Sequence, residues 1–189
     1  DLLKKNHGSK INFLKVDLTN YKNTLDGLKK SKPDLIFHLA SNADVRGSFD
    51  EPLLHTKNNT SITANLLEAV RRLKIDPLII ICSTSEVYGN VKRKDMPIKE
   101  NQMIAPINPY AVTKTYQDLL SQVYASSFNL KIIITRMFSY TNARRKNLFQ
   151  TAFAMQIARC EKKLQKTMRH GNLNSVRTFV DIDDAMEAY

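Results

Sequence analysis

Residues 77–89 read PLIIICSTSEVYG, an unbroken apolar run that ends in a cluster of polar side chains. Such a run, bounded by a proline and by polar residues, predicts a buried strand of a parallel sheet. Two more runs of this kind lie at 35–40 and 132–138, and apolar residues at helical spacing occupy 52–73. Because strands alternate with helices, the sequence predicts an α/β fold: a doubly wound parallel sheet covered by helices on both faces.

Weaker signals extend this alternation along the whole chain. We predict further strands at 10–18 and 175–181, and helices at 21–30, 109–127, 148–163 and 183–189. A fold of this type normally opens with a strand, a Gly-rich turn and a helix. The chain has only five glycines and no such turn, so we expect it to begin after that element.

Small and polar residues follow several of the predicted strands. They are Asp17, Ala40-Ser41, Ser83-Thr84 and Ser139. The carboxyl ends of parallel strands share one edge of a sheet, and ligands bind at that edge. The sequence therefore predicts a binding site built from these segments.

Tyr110 and Lys114 add reactive groups to this prediction. A spacing of four residues places them on one face of the predicted helix, one turn apart. The lysine charge favours the phenolate form of the tyrosine. A phenolate near neutral pH is a proton acceptor of the kind that alcohol oxidation requires.

The charge balance favours anionic ligands. The chain carries 29 basic and 18 acidic residues, a formal net charge of +11. The basic residues are spread over separate short groups, without a zinc finger or an RNA-binding aromatic motif. Solvated helix faces account for most of these basic residues. Of the two anionic partners that the charge allows, nucleic acid and a pyrophosphate cofactor with a nucleotide-linked substrate, we expect no nucleic acid.

Other sequence features point to a cytoplasmic protein. There is no run of about 18 apolar residues, and the N-terminal residues show no signal-peptide pattern. Cys82 and Cys160 lie far apart, as free thiols in a reducing compartment would. The four histidines lack metal-ligand spacing, so we expect no metal and no membrane association.

Taken in order, several short stretches resemble the extended short-chain dehydrogenase/reductases, or NAD-dependent epimerase/dehydratases. Within them the chain is most similar to the GDP-mannose 4,6-dehydratase group. The stretches that carry the resemblance are 16–18, 36–41, 48–49, 83–89, 108–114, 135–138, 171–173 and 177–181. The resemblance implies a Rossmann-like fold, with a dinucleotide-binding domain at 1–140 and a substrate-binding region, interleaved with the last strand of the sheet, at 141–189.

The resemblance also implies roles for individual residues. The implied catalytic residues are Thr84, Glu86, Tyr110 and Lys114. The implied cofactor, NADP or NAD, would contact Asp17, Leu18, Leu39, Ala40, Ser41, Tyr110 and Lys114. The implied substrate-binding residues are Ser48, Ser85, Ser139, Arg145, Asn172 and Arg177.

The implied reaction converts GDP-mannose to GDP-4-keto-6-deoxymannose in a homo-oligomeric enzyme. Tyr110 would assist hydride transfer from the sugar, Glu86 would assist the loss of water, and the hydride would then return. Glu86 favours a dehydratase over a simple reductase, because only the elimination needs an acid/base at carbon 5.

Three alternatives remain open at this point. Residues 153–157 and 170–173 resemble GDP-4-keto-6-deoxymannose reductases at least as much as dehydratases. Related epimerases share the Tyr and Lys, and some related reductases and decarboxylases carry a similar Glu. The segments 138–140 and 143–145 depart from the dehydratase pattern. Without the Gly-rich turn, the chain could also be an inactive fragment or a basic binding domain that retains the fold.

Overall fold

The computed structural model describes residues 10–144 and 148–189, which belong to two compact units, Asp1–Met137 and Phe138–Tyr189. The first unit alternates strands and helices, as the sequence predicts. Its elements are α1 (Tyr21–Ser31), β1 (Leu35–His38), α2 (Gly47–Asp50), α3 (Pro52–Leu73), β2 (Leu78–Cys82), 3₁₀ turns at Ser85–Tyr88 and Arg93–Asp95, α4 (Pro109–Phe128) and β3 (Ile132–Thr135).

The three strands form one parallel sheet in the order β1-β2-β3. Ile36 pairs with Ile79, which pairs with Ile132, so the strands run in register. The segments after His38, Cys82 and Thr135 therefore lie along one edge. The predicted parallel α/β architecture is confirmed.

Helices cover one face of this sheet. Leu66, Leu67 and Val70 of α3 form the buried core with Ile79 and Ile81 of β2. On the opposite face Leu35, Phe37 and Ile133 are about half exposed, although that face was expected to be covered too. The reason is topological. α3 connects β1 to β2 and α4 connects β2 to β3, so both connections move across the sheet in the same direction. Right-handed crossovers that move in the same direction lie on the same face of the sheet.

The predicted strand at 10–18 is wrong. Residues 11–17 are irregular, and among the described residues no strand pairs with them. An alternating pattern becomes a strand only when a neighbour accepts its backbone hydrogen bonds. The strands predicted at 35–40 and 132–138 are shorter than predicted, since β1 ends at His38 and β3 at Thr135.

The second unit contains β4 (Ser139–Tyr140), α5 (Phe149–Glu161), β5 (Phe179–Val180) and α6 (Ile182–Glu187). β4 and β5 form a short parallel pair, so the strand predicted at 175–181 is reduced to two residues. The ring of Phe149 packs against that of Phe179 at 5.1 Å. The assignment of cofactor and substrate regions to the two parts of the chain stays a prediction. No helix among the described residues is long and apolar enough to cross a membrane.

Candidate active site

The turn after β2 presents the hydroxyl and carboxylate of the predicted site. Thr84 caps the 3₁₀ turn, and its Oγ1 accepts from the Glu86 backbone N–H at 3.3 Å. Accepting uses a lone pair, so the hydroxyl hydrogen remains for another acceptor. Gly89 closes the turn at φ 62°, and a Cβ there would lie 1.9 Å from the Ala105 carbonyl oxygen. Only glycine fits this position without displacing backbone.

Helix α4 positions the tyrosine and the lysine. Asn108 caps the helix by accepting from the Ala111 N–H at 2.7 Å, and Pro109 occupies its first turn. Tyr110 and Lys114 are both buried, 9% and 4% exposed. The Tyr110 N–H donates to Ser48 Oγ at 3.2 Å, which fastens the start of α4 to α2.

Burial changes the acidity of Lys114. The ammonium donates to the Cys82 carbonyl oxygen at the end of β2. Burial lowers the pKa of Lys114 to about 8, while Cys82 and Asp118 oppose that shift. The lysine is therefore a buried cation at neutral pH that sits close to losing its proton.

This lowered pKa predicts a pH-dependent stability. Between pH 8 and 10.5 the unfolded chain binds more protons at Lys114 than the folded chain, so the contribution of Lys114 to the free energy of unfolding rises with pH. Lys114→Met removes the buried charge and is expected to raise the free energy of unfolding at pH 7 by about 1–3 kcal/mol. Urea unfolding of both proteins at pH 7 and pH 10 tests this, since their difference should shrink at high pH. A difference independent of pH would contradict the assignment.

The Glu86 carboxylate lies beside the start of α4. Asn108 Nδ2 donates to Glu86 Oε2 at 3.0 Å. One side chain therefore contacts both the helix that carries Tyr110 and Lys114 and the turn that carries Thr84 and Glu86. All four predicted catalytic residues belong to the first unit, at the carboxyl edge of its sheet.

A buried ion pair supports the same turn. Asp118, fully buried on α4, receives two hydrogen bonds from Arg136, at 2.8 and 3.0 Å, and one from Ser83 Oγ at 3.0 Å. Burial acts to raise the pKa of Asp118, but the bonds from Arg136, Gln122 and Ser83 outweigh it and hold the pKa low. Arg136 also donates to the Tyr88 hydroxyl at 3.1 Å.

Hydrogen bonds between buried polar side chains join α3 to α4. Asn59 Nδ2 donates to Thr113 Oγ1 at 2.9 Å, and Gln117 Nε2 donates to Thr63 Oγ1 at 2.6 Å. His38 lies 2.8 Å from the same Thr63 oxygen, and burial followed by the Lys114 charge lowers its pKa to about 4. His38 is therefore a neutral part of the core.

A cleft of about 530 Å³ lies beside the edge of the sheet. Its lining includes four of the five residues predicted to contact only the cofactor: Asp17, Leu18, Ala40 and Ser41. Asp17 follows no strand, yet its carboxylate is held by the backbone N–H and the hydroxyl of Thr19. The fifth, Leu39, is 69% exposed. The cleft is large enough for an adenosine group.

The predicted substrate residues are dispersed. Ser48 is fully buried, and its hydroxyl donates to Val45 O and accepts from Tyr110, so the structure shows a helix-fastening role; a substrate contact stays a prediction. Ser85 lies in the 3₁₀ turn, and its N–H donates to Met137 O.

The remaining predicted substrate residues belong to the second unit. Ser139, Asn172 and Arg177 are exposed there, and Asn172 Oδ1 accepts from the Asn174 N–H. Arg145 lies outside the described residues. The substrate roles of these residues stay predictions.

The sequence interpretation assigned no role to four residues that build the site: Asn59, Asn108, Asp118 and Arg136. An Asn directly before a Pro that opens a helix is a capping signal, so the capping role of Asn108 was detectable. The other three join separate elements: Asn59 bonds to Thr113 across 54 positions of sequence, and Asp118 bonds to Arg136 across 18. Within the described residues, no three His, Cys, Asp or Glu side chains form a potential metal site.

Comparison with known proteins identifies the family to which the chain is similar. The sequence profile of the family described as GDP-mannose 4,6 dehydratase matches residues 1–189. A GDP-6-deoxy-D-mannose reductase of Pseudomonas aeruginosa is 30% identical over 168 residues, 88% of this chain and 55% of the reductase. A GDP-mannose 4,6-dehydratase of Sordaria araneosa is 30% identical over 174 residues, 90% of this chain and 32% of the dehydratase.

A solved structure shares the fold. The RMD protein of Pseudomonas aeruginosa, crystallised with NADPH, superimposes with a TM-score of 0.87 at 28% identity, over 93% of this chain and 61% of that one. The chain spans about half the length, or less, of the first curated relatives it matches. The profile match over its whole length shows that the chain belongs to the GDP-mannose 4,6 dehydratase family, among related nucleotide-sugar dehydratases, epimerases and reductases.

Proposed function

We propose that the chain carries the catalytic residues of a GDP-mannose 4,6-dehydratase. The observation that carries this proposal is the Glu86 carboxylate, held 3.0 Å from Asn108 Nδ2 at the start of the helix that bears Tyr110 and Lys114. A reductase needs a hydroxyl, a phenol and a lysine; an added carboxylate acid/base is what elimination of water requires. The family profile supports the same substrate class.

We propose NADP, or alternatively NAD, as the cofactor. The residues fit a dinucleotide: the cleft holds the Asp17 carboxylate, and the buried Ser41 hydroxyl there has no partner among the described residues. A buried hydroxyl left unpaired is costly, so a ligand that bonds to it would be favoured. When bound, such a cofactor would supply the hydride chemistry, that is, removal of a hydride from sugar carbon 4 and its return to carbon 6.

The side chains of the chain then move the protons. The Tyr110 phenolate takes the proton of the 4-hydroxyl, and the Lys114 charge stabilises the phenolate. Thr84 donates its free hydroxyl hydrogen to the sugar oxygen. Glu86 takes the proton from carbon 5 and gives it to the 6-hydroxyl, which leaves as water. Tyr110 finally gives its proton to carbon 5, so Tyr110 and Glu86 both regain their initial protonation states.

We further propose that Ser48 and Ser85 of the first unit are substrate-binding residues. For the second unit we propose the same role for Ser139, Arg145, Asn172 and Arg177. Arg177 is exposed in the second unit, where a guanidinium is able to bind phosphate oxygens in bidentate geometry.

The decisive experiment uses the complete gene product that contains these residues. Incubation with GDP-mannose and NADP⁺ should yield GDP-4-keto-6-deoxymannose without net formation of NADPH. The second candidate is a GDP-4-keto-6-deoxymannose reductase, which the similarity to the Pseudomonas aeruginosa reductase favours. Failure to dehydrate GDP-mannose, together with NADPH-dependent reduction of the 4-keto sugar, would refute the dehydratase and support the reductase.

We also propose that the protein forms a homo-oligomer through α4. Four apolar residues form a stripe along this helix, each between 39% and 51% exposed: Val112, Tyr116, Leu119 and Val123. A second copy presenting the same stripe would cover it by two-fold symmetry. We predict that Leu119→Glu lowers the mass measured by light scattering, whereas Asn23→Glu on α1 does not. An unchanged mass for Leu119→Glu would contradict this interface.

A further inference from the structure

Asn108 connects the turn that carries Thr84 and Glu86 to α4, the helix that carries Tyr110 and Lys114. The residue is 9% exposed, and both polar atoms of its side chain form hydrogen bonds. Oδ1 accepts from the Ala111 N–H at 2.7 Å, and Nδ2 donates to Glu86 Oε2 at 3.0 Å. The contact bridges 22 positions of sequence between the turn and the helix.

Chemistry fixes the orientation of this amide. The first N–H groups of a helix require an acceptor, so the Asn108 oxygen must face Ala111. The amide nitrogen is then directed at Glu86, where it suits the ionised carboxylate, which only accepts hydrogen bonds. A flipped amide would lose both bonds at once.

The backbone beside Glu86 is held as well. The Glu86 N–H donates to Thr84 Oγ1, and its carbonyl oxygen accepts from the Gly89 N–H at 3.1 Å. The main chain of Glu86 is therefore fixed by its own turn. The position of the carboxylate depends on Asn108, which belongs to another element.

We propose that Asn108 is a positioning residue that holds the Glu86 carboxylate at a fixed position relative to Tyr110 and Lys114. The kinetic consequence of this inference rests on the proposed dehydratase function. Because Oε2 already accepts from Asn108, we assign to Oε1 the removal of the proton from sugar carbon 5.

Two variants separate positioning from helix capping. Asp and Ser both cap helices, so Asn108→Asp and Asn108→Ser should keep α4 intact. Asp places a second carboxylate against Glu86, and Ser is too short to replace the donated bond. In the complete gene product, each should lower kcat for dehydration of GDP-mannose by about 10–100-fold, because small misplacements of reacting groups are costly. Asn23→Asp, exposed on α1, controls for added charge and should leave kcat unchanged.

The mechanism of the loss is tested with Glu86→Gln. In that background, Asn108→Asp should lower kcat by less than about twofold further, because the two residues act as one unit. Oxidation at carbon 4, followed as NADPH formed in a single turnover, should persist in both Asn108 variants. Wild-type turnover in Asn108→Asp and Asn108→Ser would overturn the proposal.

A substrate-free measurement keeps this test independent of the proposed function. Asn108→Asp should lower Tm through repulsion between the two carboxylates, and added Glu86→Gln should recover about half or more of that loss. If the wild-type protein does not dehydrate GDP-mannose, the proposed function fails while Tm still decides this inference. Recovery then supports the positioning contact, and additive losses of Tm overturn it.

Discussion

Glu86→Gln is expected to slow dehydration of GDP-mannose by about 10²–10⁴-fold, the range that a positioned acid/base group supplies. The amide is nearly the same size as the carboxylate and still accepts from Asn108 Nδ2, so the turn should keep its conformation. In the proposed mechanism, this variant loses the ability to take the proton from carbon 5 and deliver it to the leaving hydroxyl. The measurement is the rate of 4-keto-6-deoxy product formation by the complete gene product.

Separate observations localise the defect. Solvent deuterium should no longer enter carbon 5, while NADP⁺ still binds and the sugar is still oxidised at carbon 4. Glu51→Gln, a substitution of the same kind at an exposed position, serves as control and should behave like wild type. Persistence of elimination in Glu86→Gln would show that another group removes the carbon 5 proton.

Asp118→Ala is expected to lower the free energy of unfolding by about 3–5 kcal/mol, the cost of breaking a buried ion pair at one partner. Asp118 is fully buried, and its removal leaves the Arg136 guanidinium, 15% exposed, without its carboxylate. Ser83 and Gln122 also lose the acceptor of their hydrogen bonds. Urea or thermal unfolding measures the loss.

The matched variants separate charge from shape. Asp118→Asn keeps the volume and some of the hydrogen bonds, so its loss should be smaller than that of Asp118→Ala. Combining Asp118→Ala with Arg136→Met removes the stranded charge and should recover part of the stability. Equal losses in Asp118→Ala and the double variant would show that the unpaired charge is not the cause.

The helices illustrate how far local pattern determines structure. The helix predicted at 52–73 is found at Pro52–Leu73, because its apolar spacing and opening proline act within a few residues of each other. The same holds for α4, where a cap residue followed by proline marks the start and the four-residue spacing places Tyr110 and Lys114 on one face. The strand at 10–18 failed because its local pattern requires a partner that no described residue provides.

The sequence by itself determined the order of strands and helices. It also predicted the edge of the sheet that carries the candidate site and its Tyr, Lys, Thr and Glu side chains. The tertiary structure decided which face of the sheet the helices cover and how deeply Lys114 is buried. It also decided that Asn108 meets Glu86 and that Asp118 meets Arg136. Periodicity and capping act between near neighbours and can be read from a sequence. Burial and pairing between separate elements arise only when packed helices bring together residues that lie far apart along the chain.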